Sequence, residues 1–282
     1  MHASRYSLHT MLLQRDGNLV VGISVIIPMI RYDHWLDEAV NSILNQQDVT
    51  VQVVVVHDGV EPKPSVSWHS DPRVTIVHSE QRVGQAAGMN LGVQHAQHEL
   101  IARLDSDDLS SPQRLAAQVK LMDSTPTAVA NGTRVMRIDD KSSETSELRY
   151  PVGTDVRKNL ILQNVIPHSS LLMRKEAFIK AGGYDASIHQ MEDYEFILRL
   201  ALQGPIGNVD EILTYYRVHP GQISRGAPPS GSHINKVILA RKVLSKQLGV
   251  SYFSFFSKAL LWRAVQFMRY YKIVKPGYER NP

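Results

Sequence analysis

Short apolar runs alternate with amphipathic segments through the first half of the chain. The runs "ISVIIP", "VQVVVVHDG", "VTIVHS" and "ELIARLD" begin at residues 23, 51, 74 and 99, and they have the length and β-branched content of buried strands. A fifth strand is predicted at 127–138, and helices are predicted at 33–46, 84–96 and 111–124. This alternation predicts an α/β fold with a mostly parallel sheet flanked by helices.

Acidic residues directly follow two of the predicted strands. Asp58 ends the second strand, and Asp105, Asp107 and Asp108 follow the fourth within "RLDSDD". Ligands of parallel sheets bind at the carboxyl ends of strands, so we expect these acids to share one edge. Three carboxylates in four positions repel one another, and a Mn²⁺ or Mg²⁺ ion with oxygen ligands would cancel that repulsion.

Other interpretations of this acidic cluster differ in how well they fit. A calcium-binding loop needs Gly at its sixth position and Glu at its twelfth, where this chain has Ser110 and Ala116, so that loop is excluded. A phosphatase with an aspartyl nucleophile needs Asp-x-Asp-x-Thr, but Leu109 stands at the fifth position. An acidic turn that caps a helix without a metal stays open.

Composition narrows the class of protein. The 282 residues are 43% hydrophobic and 21% charged, enough for one large domain with an added tail. The absence of cysteine excludes disulfides and thiolate chemistry. The apolar stretch 19–30 is too short to span a bilayer, and Arg15 and Asp16 interrupt any signal-peptide core. We therefore expect a cytoplasmic protein.

Charge divides the chain into two parts. Residues 1–211 hold 19 Lys and Arg against 26 Asp and Glu, whereas residues 212–278 hold 11 Lys and Arg and no acid. The linker-like stretch 225–233 places the boundary, so we expect a domain at 1–225 and a basic, aromatic-rich helical tail at 226–282. Such a tail suits an anionic partner.

The second predicted tail helix, at about 252–273, carries an apolar stripe at helical spacing. The stripe consists of Phe253, Phe256, Leu260, Ala264, Phe267 and Tyr271. It could pack on the body, with the interleaved basic residues solvated. Alternatively, the helix could lie on an anionic membrane surface, which would place the protein peripherally at the inner face of the membrane. Nucleic-acid binding is disfavoured because no recognised motif accompanies the charge.

Six segments in fixed order resemble the family 2 glycosyltransferases of the GT-A (Rossmann-like) fold. They are "ISVIIP", "VVVVHDG", "GQAAGMNLGVQHA", "LIARLDSDDLSSP", "GGYD" and "MEDYEFILRL", and the resemblance covers roughly residues 22–225. It implies transfer of a sugar, with inversion and with Mn²⁺ or Mg²⁺, from a nucleoside diphosphate sugar such as a UDP-sugar. The implied acceptor is a hydroxyl of a saccharide or lipid-linked molecule in polysaccharide or glycolipid synthesis.

The resemblance also implies a role for each matching residue. The nucleotide would contact Pro28, Asp58, Arg82, Asp105 and Ser106. The metal would bind Asp107 and His219, with Asp108, Arg217 and His168 in support. The chain departs from the family where the usual Asp-Asp-Gly-Ser becomes His57-Asp58-Gly59-Val60.

The pair Glu192 and Asp193 is the predicted catalytic machinery. An acceptor hydroxyl must lose its proton, and the resemblance implies Asp193 as the general base with Glu192 orienting it or binding the acceptor. Two acids at a helix start could instead serve only the helix dipole. His168 and His219 could likewise be ordinary loop histidines. A non-catalytic module that binds a nucleotide sugar or a lipid diphosphate is the alternative function.

Overall fold

Helices and strands occupy most of the residues that the computed structural model describes, which are 12–15, 18–61, 66–219, 221–222 and 231–270. The strands are β1 (Leu12–Arg15), β2 (Asn18–Met29), β3 (Thr50–Asp58), β4 (Val74–Ser79), β5 (Leu100–Arg103), β6 (Leu109–Ser110), β7 (Ala130–Ile138), β8 (Glu144–Leu148), β9 (Leu172–Arg174) and β10 (Ile206–Arg217). The helices are α1 (His34–Leu44), α2 (Gln85–Gln94), α3 (Arg114–Ser124), α4 (Arg157–Leu160), α5 (Lys175–Lys180), α6 (Glu192–Leu200), α7 (Gly231–Gln247) and α8 (Tyr252–Tyr270). Short 3₁₀ turns cover Ser67–Ser70 and His168–Ser170.

The strands join in one sheet with the order β4-β3-β2-β5-β9-β7-β10-β6, with β1 beside β2 and β8 beside β7. Strands β4, β3, β2 and β5 run parallel to one another, which confirms the predicted parallel arrangement for this half. The antiparallel strand β9 connects this half to β7, and β7 and β10 again run parallel. The ends of β3 and β5 therefore bring Asp58 and the 105–108 cluster to one edge.

The predicted elements form close to their expected positions. Strand β4 has the predicted bounds, and α1, α2 and α3 begin one to three residues later than predicted. Strands β6, β8 and β9 were not predicted from the sequence. They contain two to five residues each, so no periodicity can be recognised in them.

Two apolar cores lie on the two faces of the sheet. Alternate residues of β3 divide between them, because Val53 and Val55 pack with α1 and α3 while Val54 and Val56 pack with α2 and α6. A strand with an apolar core on each face reads as a continuous run of valines rather than as an alternating pattern, as observed in "VQVVVV".

Helix α7 is part of the main core. Its residues Val237, Ala240 and Leu244 are buried in the same cluster as α6. Arg241 is also fully buried, and its guanidinium donates to the Ile161 carbonyl and stacks over the Trp262 ring of α8 at 4.8 Å. The predicted boundary between 225 and 226 lies outside the described residues.

The apolar stripe predicted for α8 is not the face that packs on the body. Phe255, Ala259 and Trp262 are buried against α7 and the body, whereas the stripe residues Phe253, Phe256 and Leu260 are exposed. The interpretation that this stripe packs on the body was therefore wrong. Helix α8 is apolar on more than one side, so spacing alone did not identify the packed face. Tyr271 lies outside the described residues.

None of the described helices combines the length and hydrophobicity that a membrane crossing requires.

The packing of α2 on the sheet depends on Gly92. A Cβ at this position would overlap the Ile26 side chain and lie 3.0 Å from Val56 Cγ2. We expect Gly92→Ala to lower the free energy of unfolding by about 1–3 kcal/mol, because both neighbours belong to a packed core. Urea unfolding followed by circular dichroism measures the change.

Gly88 provides the matched control on the same helix. A Cβ there would meet Pro28 and Val56 at the ordinary contact distances of 3.7 and 3.9 Å. We expect Gly88→Ala to stabilise the protein by roughly 0.5–1 kcal/mol through helix propensity. Equal effects of the two substitutions would show that close packing is not what requires Gly92.

Candidate functional site

A cleft at the carboxyl edge of the sheet unites three predicted site residues that are far apart in sequence. Asp58 is the last residue of β3, Arg82 precedes α2, and Glu192 begins α6. The other lining residues are Ile30, Val83, Gly84, Gln85, Ala86, Ala186, Ile188 and His189. Pro28 is in β2, two residues before the cleft residue Ile30. A Cβ at Gly88 would contact Pro28.

Asp58 fixes the loop before α2. Its Oδ1 accepts from the Val83 amide at 2.5 Å and its Oδ2 from the Gly84 amide at 2.9 Å. Gly84 has φ of +86°, a conformation that other residues rarely adopt. The carboxylate is thus oriented by backbone amides, a role that sequence analysis missed. Contact with a nucleobase, through the remaining lone pairs, stays a prediction.

Asp105 is paired with a buried arginine. Arg103, at the end of β5, is 1% exposed, and its Nη2 lies 2.5 Å from Asp105 Oδ1. The Asp105 amide donates to Ser169 Oγ at 3.0 Å, which joins the end of β5 to the 3₁₀ turn 168–170. Ser106 follows in the turn and is half-buried.

Asp107 and Asp108 are held by the end of β10. His219 Nε2 donates to Asp107 Oδ2 at 2.9 Å, and the Arg217 amide donates to Asp108 Oδ1 at 2.8 Å. His219 is buried against the ring of Trp35, with ring centroids 4.4 Å apart. The structure therefore unites the two predicted metal ligands, which are separated by more than 100 residues in sequence.

Arg217 is a positioning residue for this cluster. It is fully buried, its Nε donates to the Asp107 carbonyl at 2.8 Å, and its Nη2 donates to Glu38 Oε2 at 2.7 Å. Its Nη1 donates to the Asp139 carbonyl and to Ser142 Oγ. These bonds leave its guanidinium occupied by protein groups, and the supporting role of Arg217 stays a prediction.

The ionised forms of Asp107 and Asp108 are destabilised by their surroundings. Burial and then Asp105 raise the pKa of Asp107, while His219 opposes the rise. Burial, Asp107 and Asp105 raise the pKa of Asp108 well above its usual range. Asp108 Oδ2 has no hydrogen bond of ordinary geometry within the described residues. A cation beside these groups would relieve all three effects.

The residues fit a hard divalent cation that also binds phosphate. Asp107 and His219 would be the side chains that hold such an ion, and its binding would replace the 2.9 Å hydrogen bond between His219 Nε2 and Asp107 Oδ2. No group of three or more His, Asp or Glu side chains within the described residues forms a complete cage. Such ions commonly take one or two protein ligands and complete their shell with water and substrate phosphates.

Glu192 and Asp193 open α6 after Met191, whose φ of +68° turns the chain into the helix. Glu192 lines the cleft, and burial followed by Asp193 raises its pKa to about 7. Asp193 Oδ2 accepts from Asn164 Nδ2 at 2.9 Å, and burial raises its pKa. The two acids thus form an interacting pair with different neighbours.

His168 lies in the 3₁₀ turn 168–170, whose Ser169 accepts a hydrogen bond from the Asp105 amide. Its Nε2 shares a hydrogen bond with the Tyr184 hydroxyl at 2.7 Å, and burial lowers its pKa well below the usual value, with Arg103 adding to the shift. The ring is therefore neutral at neutral pH. His57 stands where the family has its first acid, and it is buried with its Nε2 3.0 Å from the Tyr32 hydroxyl.

Several residues of the site gave no signal in the sequence. Arg114 on α3 is fully buried and donates to the Arg103 carbonyl at 2.7 Å, and burial lowers its pKa to about 9, against the opposing effects of Asp108 and Asp105. Asn164, Ser169 and Glu38 hold site residues by single hydrogen bonds. These residues become recognisable only when distant segments are brought together.

Comparison with known proteins gives consistent findings. The family model described as Glycosyl transferase family 2 matches residues 24–182. The O-antigen biosynthesis glycosyltransferase WbnJ of Escherichia coli is 31% identical over 214 residues, which cover 73% of this chain and 83% of that protein. The amylovoran biosynthesis glycosyltransferase AmsE of Erwinia amylovora is 27% identical over 196 residues, covering 67% and 73%.

The fold is also found among solved structures. The crystal structure of S. aureus TarS 1-349 in complex with UDP-GlcNAc superposes with a TM-score of 0.64 at 16% identity and covers 78% of this chain. This chain spans 65% of the length of that TarS chain. At this identity the likeness concerns the fold alone, and it confirms the predicted GT-A architecture.

Proposed function

This chain belongs to glycosyltransferase family 2, and from that membership we propose that it transfers a sugar from a UDP-sugar to a hydroxyl acceptor with inversion. The observation that carries the proposal is the cleft that joins Asp58 and Arg82 to the start of α6, together with the Asp107–His219 pair at the same edge of the sheet. The names of the relatives WbnJ and AmsE support a place in polysaccharide synthesis, with a saccharide or lipid-linked acceptor.

The donor would lie along the edge of the sheet. Pro28, Asp58, Arg82, Asp105 and Ser106 would contact the nucleoside, while Asp107 and His219 would hold Mn²⁺ or Mg²⁺. The ion, when bound, would stabilise the negative charge that develops on the departing diphosphate. Asp108, Arg217 and His168 would keep these groups in place.

Asp193 would remove the proton from the acceptor hydroxyl. Its carboxylate is oriented by Asn164, which is what a general base requires. Glu192 keeps its proton up to about pH 7 and could donate a hydrogen bond to the acceptor or donor sugar. No second nucleophile is assigned, so the reaction is a single displacement, which inverts the anomeric configuration.

The function is tested by release of UDP from a panel of UDP-sugars, with and without Mn²⁺ and with saccharide acceptors. We expect release that requires an acceptor and Mn²⁺ and that falls at least about 100-fold in Asp107→Asn and Asp193→Asn, because each loses a charge acting in the transition state. Asp123→Asn, at an exposed position on α3, is the control and should keep full activity. Binding of UDP-sugars without turnover would instead support a non-catalytic module.

The pH dependence of kcat/KM distinguishes the roles of the two acids. With Asp193 as the base, activity rises with pH as Asp193 loses its proton, and burial raises the pKa of this carboxyl group above its usual range. This acid limb should persist in Glu192→Gln. A limb at about pH 7 in the wild type that disappears in Glu192→Gln would assign the base to Glu192.

The tail helices offer a surface for an anionic membrane. We call the exposed apolar side chains of α7 and α8 together the tail surface. They are Leu239, Val243, Tyr252, Phe253, Phe256, Leu260 and Leu261. Lys242, Lys246 and Arg263 are exposed on the same two helices. Because residues 212–278 contain no acid, we propose that the tail surface binds anionic lipid, as an extension of the catalytic domain.

Sedimentation with phospholipid vesicles tests the tail surface. The full chain should co-sediment with phosphatidylglycerol vesicles and much less with phosphatidylcholine vesicles. The combined Phe253→Ser, Phe256→Ser and Leu260→Ser variant should lose about 10-fold or more in partitioning, because burial of apolar area is lost. Ile179→Ser, which removes an exposed apolar side chain from α5, is the control. Equal sedimentation of the two variants would contradict the proposal.

A further inference from the structure

The chain segment before α6 forms part of the cleft. We call residues 185–190 the cleft segment, and its Ala186, Ile188 and His189 line the cleft. Ile188 is buried, whereas Ala186 and His189 are exposed. Of these three residues, only His189 has a polar side chain. A molecule in the cleft can therefore form a side-chain hydrogen bond with these three residues only through the His189 imidazole.

The backbone of the cleft segment is fixed between α2 and α6. Asn90 of α2 holds the residue before the segment, because its Oδ1 accepts from the Tyr184 amide and its Nδ2 donates to the Tyr184 carbonyl, both at 2.8 Å. The Ile188 amide donates to the Asp185 carbonyl at 3.0 Å and closes a turn. After Met191 the chain enters α6. The segment is thus anchored at both of its ends.

Helix α7 contacts the cleft segment through side chains. Lys236 Nζ donates to Asp185 Oδ2 at 2.6 Å and to Ser187 Oγ at 2.7 Å. The Ser187 amide donates to Asp185 Oδ1 at 2.9 Å, so the three groups form one network. The ring of His233 meets the ring of His189 edge-on, with the centroids 6.1 Å apart. Because α7 and α6 share the main core, α7 supports the segment from the body that carries the predicted base.

The transferred sugar has to lie near the start of α6. With Asp193 as the base, the acceptor hydroxyl lies beside Asp193, and the sugar carbon that it attacks must come within about 3–3.5 Å of it. Glu192, the neighbour of Asp193, lines the cleft, so the sugar would occupy this end of the cleft. His189 lines the same cleft and precedes Glu192 by three residues. The predicted nucleoside contacts Asp58 and Arg82 come instead from β3 and the loop before α2.

We propose that His189 recognises the transferred sugar of the donor, through a hydrogen bond between its imidazole and a hydroxyl or amide of that sugar. Lys236 is a positioning residue, because it holds the turn that presents His189 to the cleft. An imidazole nitrogen can donate or accept a hydrogen bond, and a sugar hydroxyl can do both. The inference rests on the proposed function, because it names the residue that recognises the sugar of the UDP-sugar.

Calorimetric titration of the full chain tests the role of His189 without turnover. The ligands are UDP, UDP-GlcNAc, UDP-glucose and UDP-galactose, each with Mn²⁺. We expect His189→Ala to weaken binding of the UDP-sugar that the wild type binds best by about 3- to 10-fold, because one hydrogen bond is lost, and to leave UDP binding unchanged. His189→Gln should restore part of this loss, because an amide also donates and accepts.

Lys236→Met tests the positioning role. It should weaken binding of the same UDP-sugar at least about 3-fold, because the hydrogen bond of His189 is no longer aligned, and leave UDP binding unchanged. The melting temperature should fall by less than about 4 °C, because the ion pair with Asp185 is partly exposed. Lys120→Met, which removes an exposed lysine from α3, is the matched control and should bind all four ligands as the wild type does.

Each outcome decides for or against the role of the cleft segment. Equal weakening of UDP and of the UDP-sugar in His189→Ala would place His189 beside the nucleotide and would overturn the proposal. UDP-sugar binding that His189→Ala leaves unchanged would overturn the proposal but not the proposed function. If the wild type binds none of the three UDP-sugars, the proposed function fails and the inference fails with it. A Lys236→Met variant that behaves as Lys120→Met would overturn the positioning role.

Discussion

The structure depends on neutralising the negative charge of the acidic groups that the sheet brings to one edge. Two unit charges 4 Å apart interact by about 4 kcal/mol at an effective dielectric constant of 20, so neighbouring carboxylates cannot stay ionised there without cations. Arg103 neutralises Asp105, and His219 and the Arg217 amide hold Asp107 and Asp108. The neutralisation of negative charge is incomplete, because the pKa values of Asp107 and Asp108 remain raised. The remaining negative charge is what a divalent cation would bind.

The two halves of the sheet position different residues of the site. The parallel half, β4-β3-β2-β5, ends in Asp58 and the acidic cluster, where a nucleotide would lie. The mixed half carries the end of β10, whose Arg217 ties the cluster to Glu38 of α1. The antiparallel strand β9 joins the halves, so the geometry of the cluster depends on the pairing of both. Rigid strands thus set the positions of the charged groups.

Sequence analysis identified the acidic residues at the ends of strands. It missed residues that act through contacts between distant parts of the chain. Asp58 and the 105–108 acids were found because an apolar run followed by acid is a local pattern. Arg114, Asn164 and Glu38 were missed because each acts through a hydrogen bond to a residue that only folding brings near. The packed face of α8 could not be chosen from the sequence for the same reason. Its apolar residues satisfy helical spacing on more than one side, and only the positions of Ile161 and α7 decide between them.

Helix geometry gives the two adjacent acids Glu192 and Asp193 different surroundings. Consecutive residues of an α-helix point about 100° apart, so Glu192 and Asp193 cannot face the same wall of the site. Glu192 lines the cleft with Asp58 and Arg82, while Asp193 is oriented by Asn164. Their proximity still couples them, because Asp193 contributes to the raised pKa of Glu192. The two carboxyl groups at this helix start therefore titrate as an interacting pair.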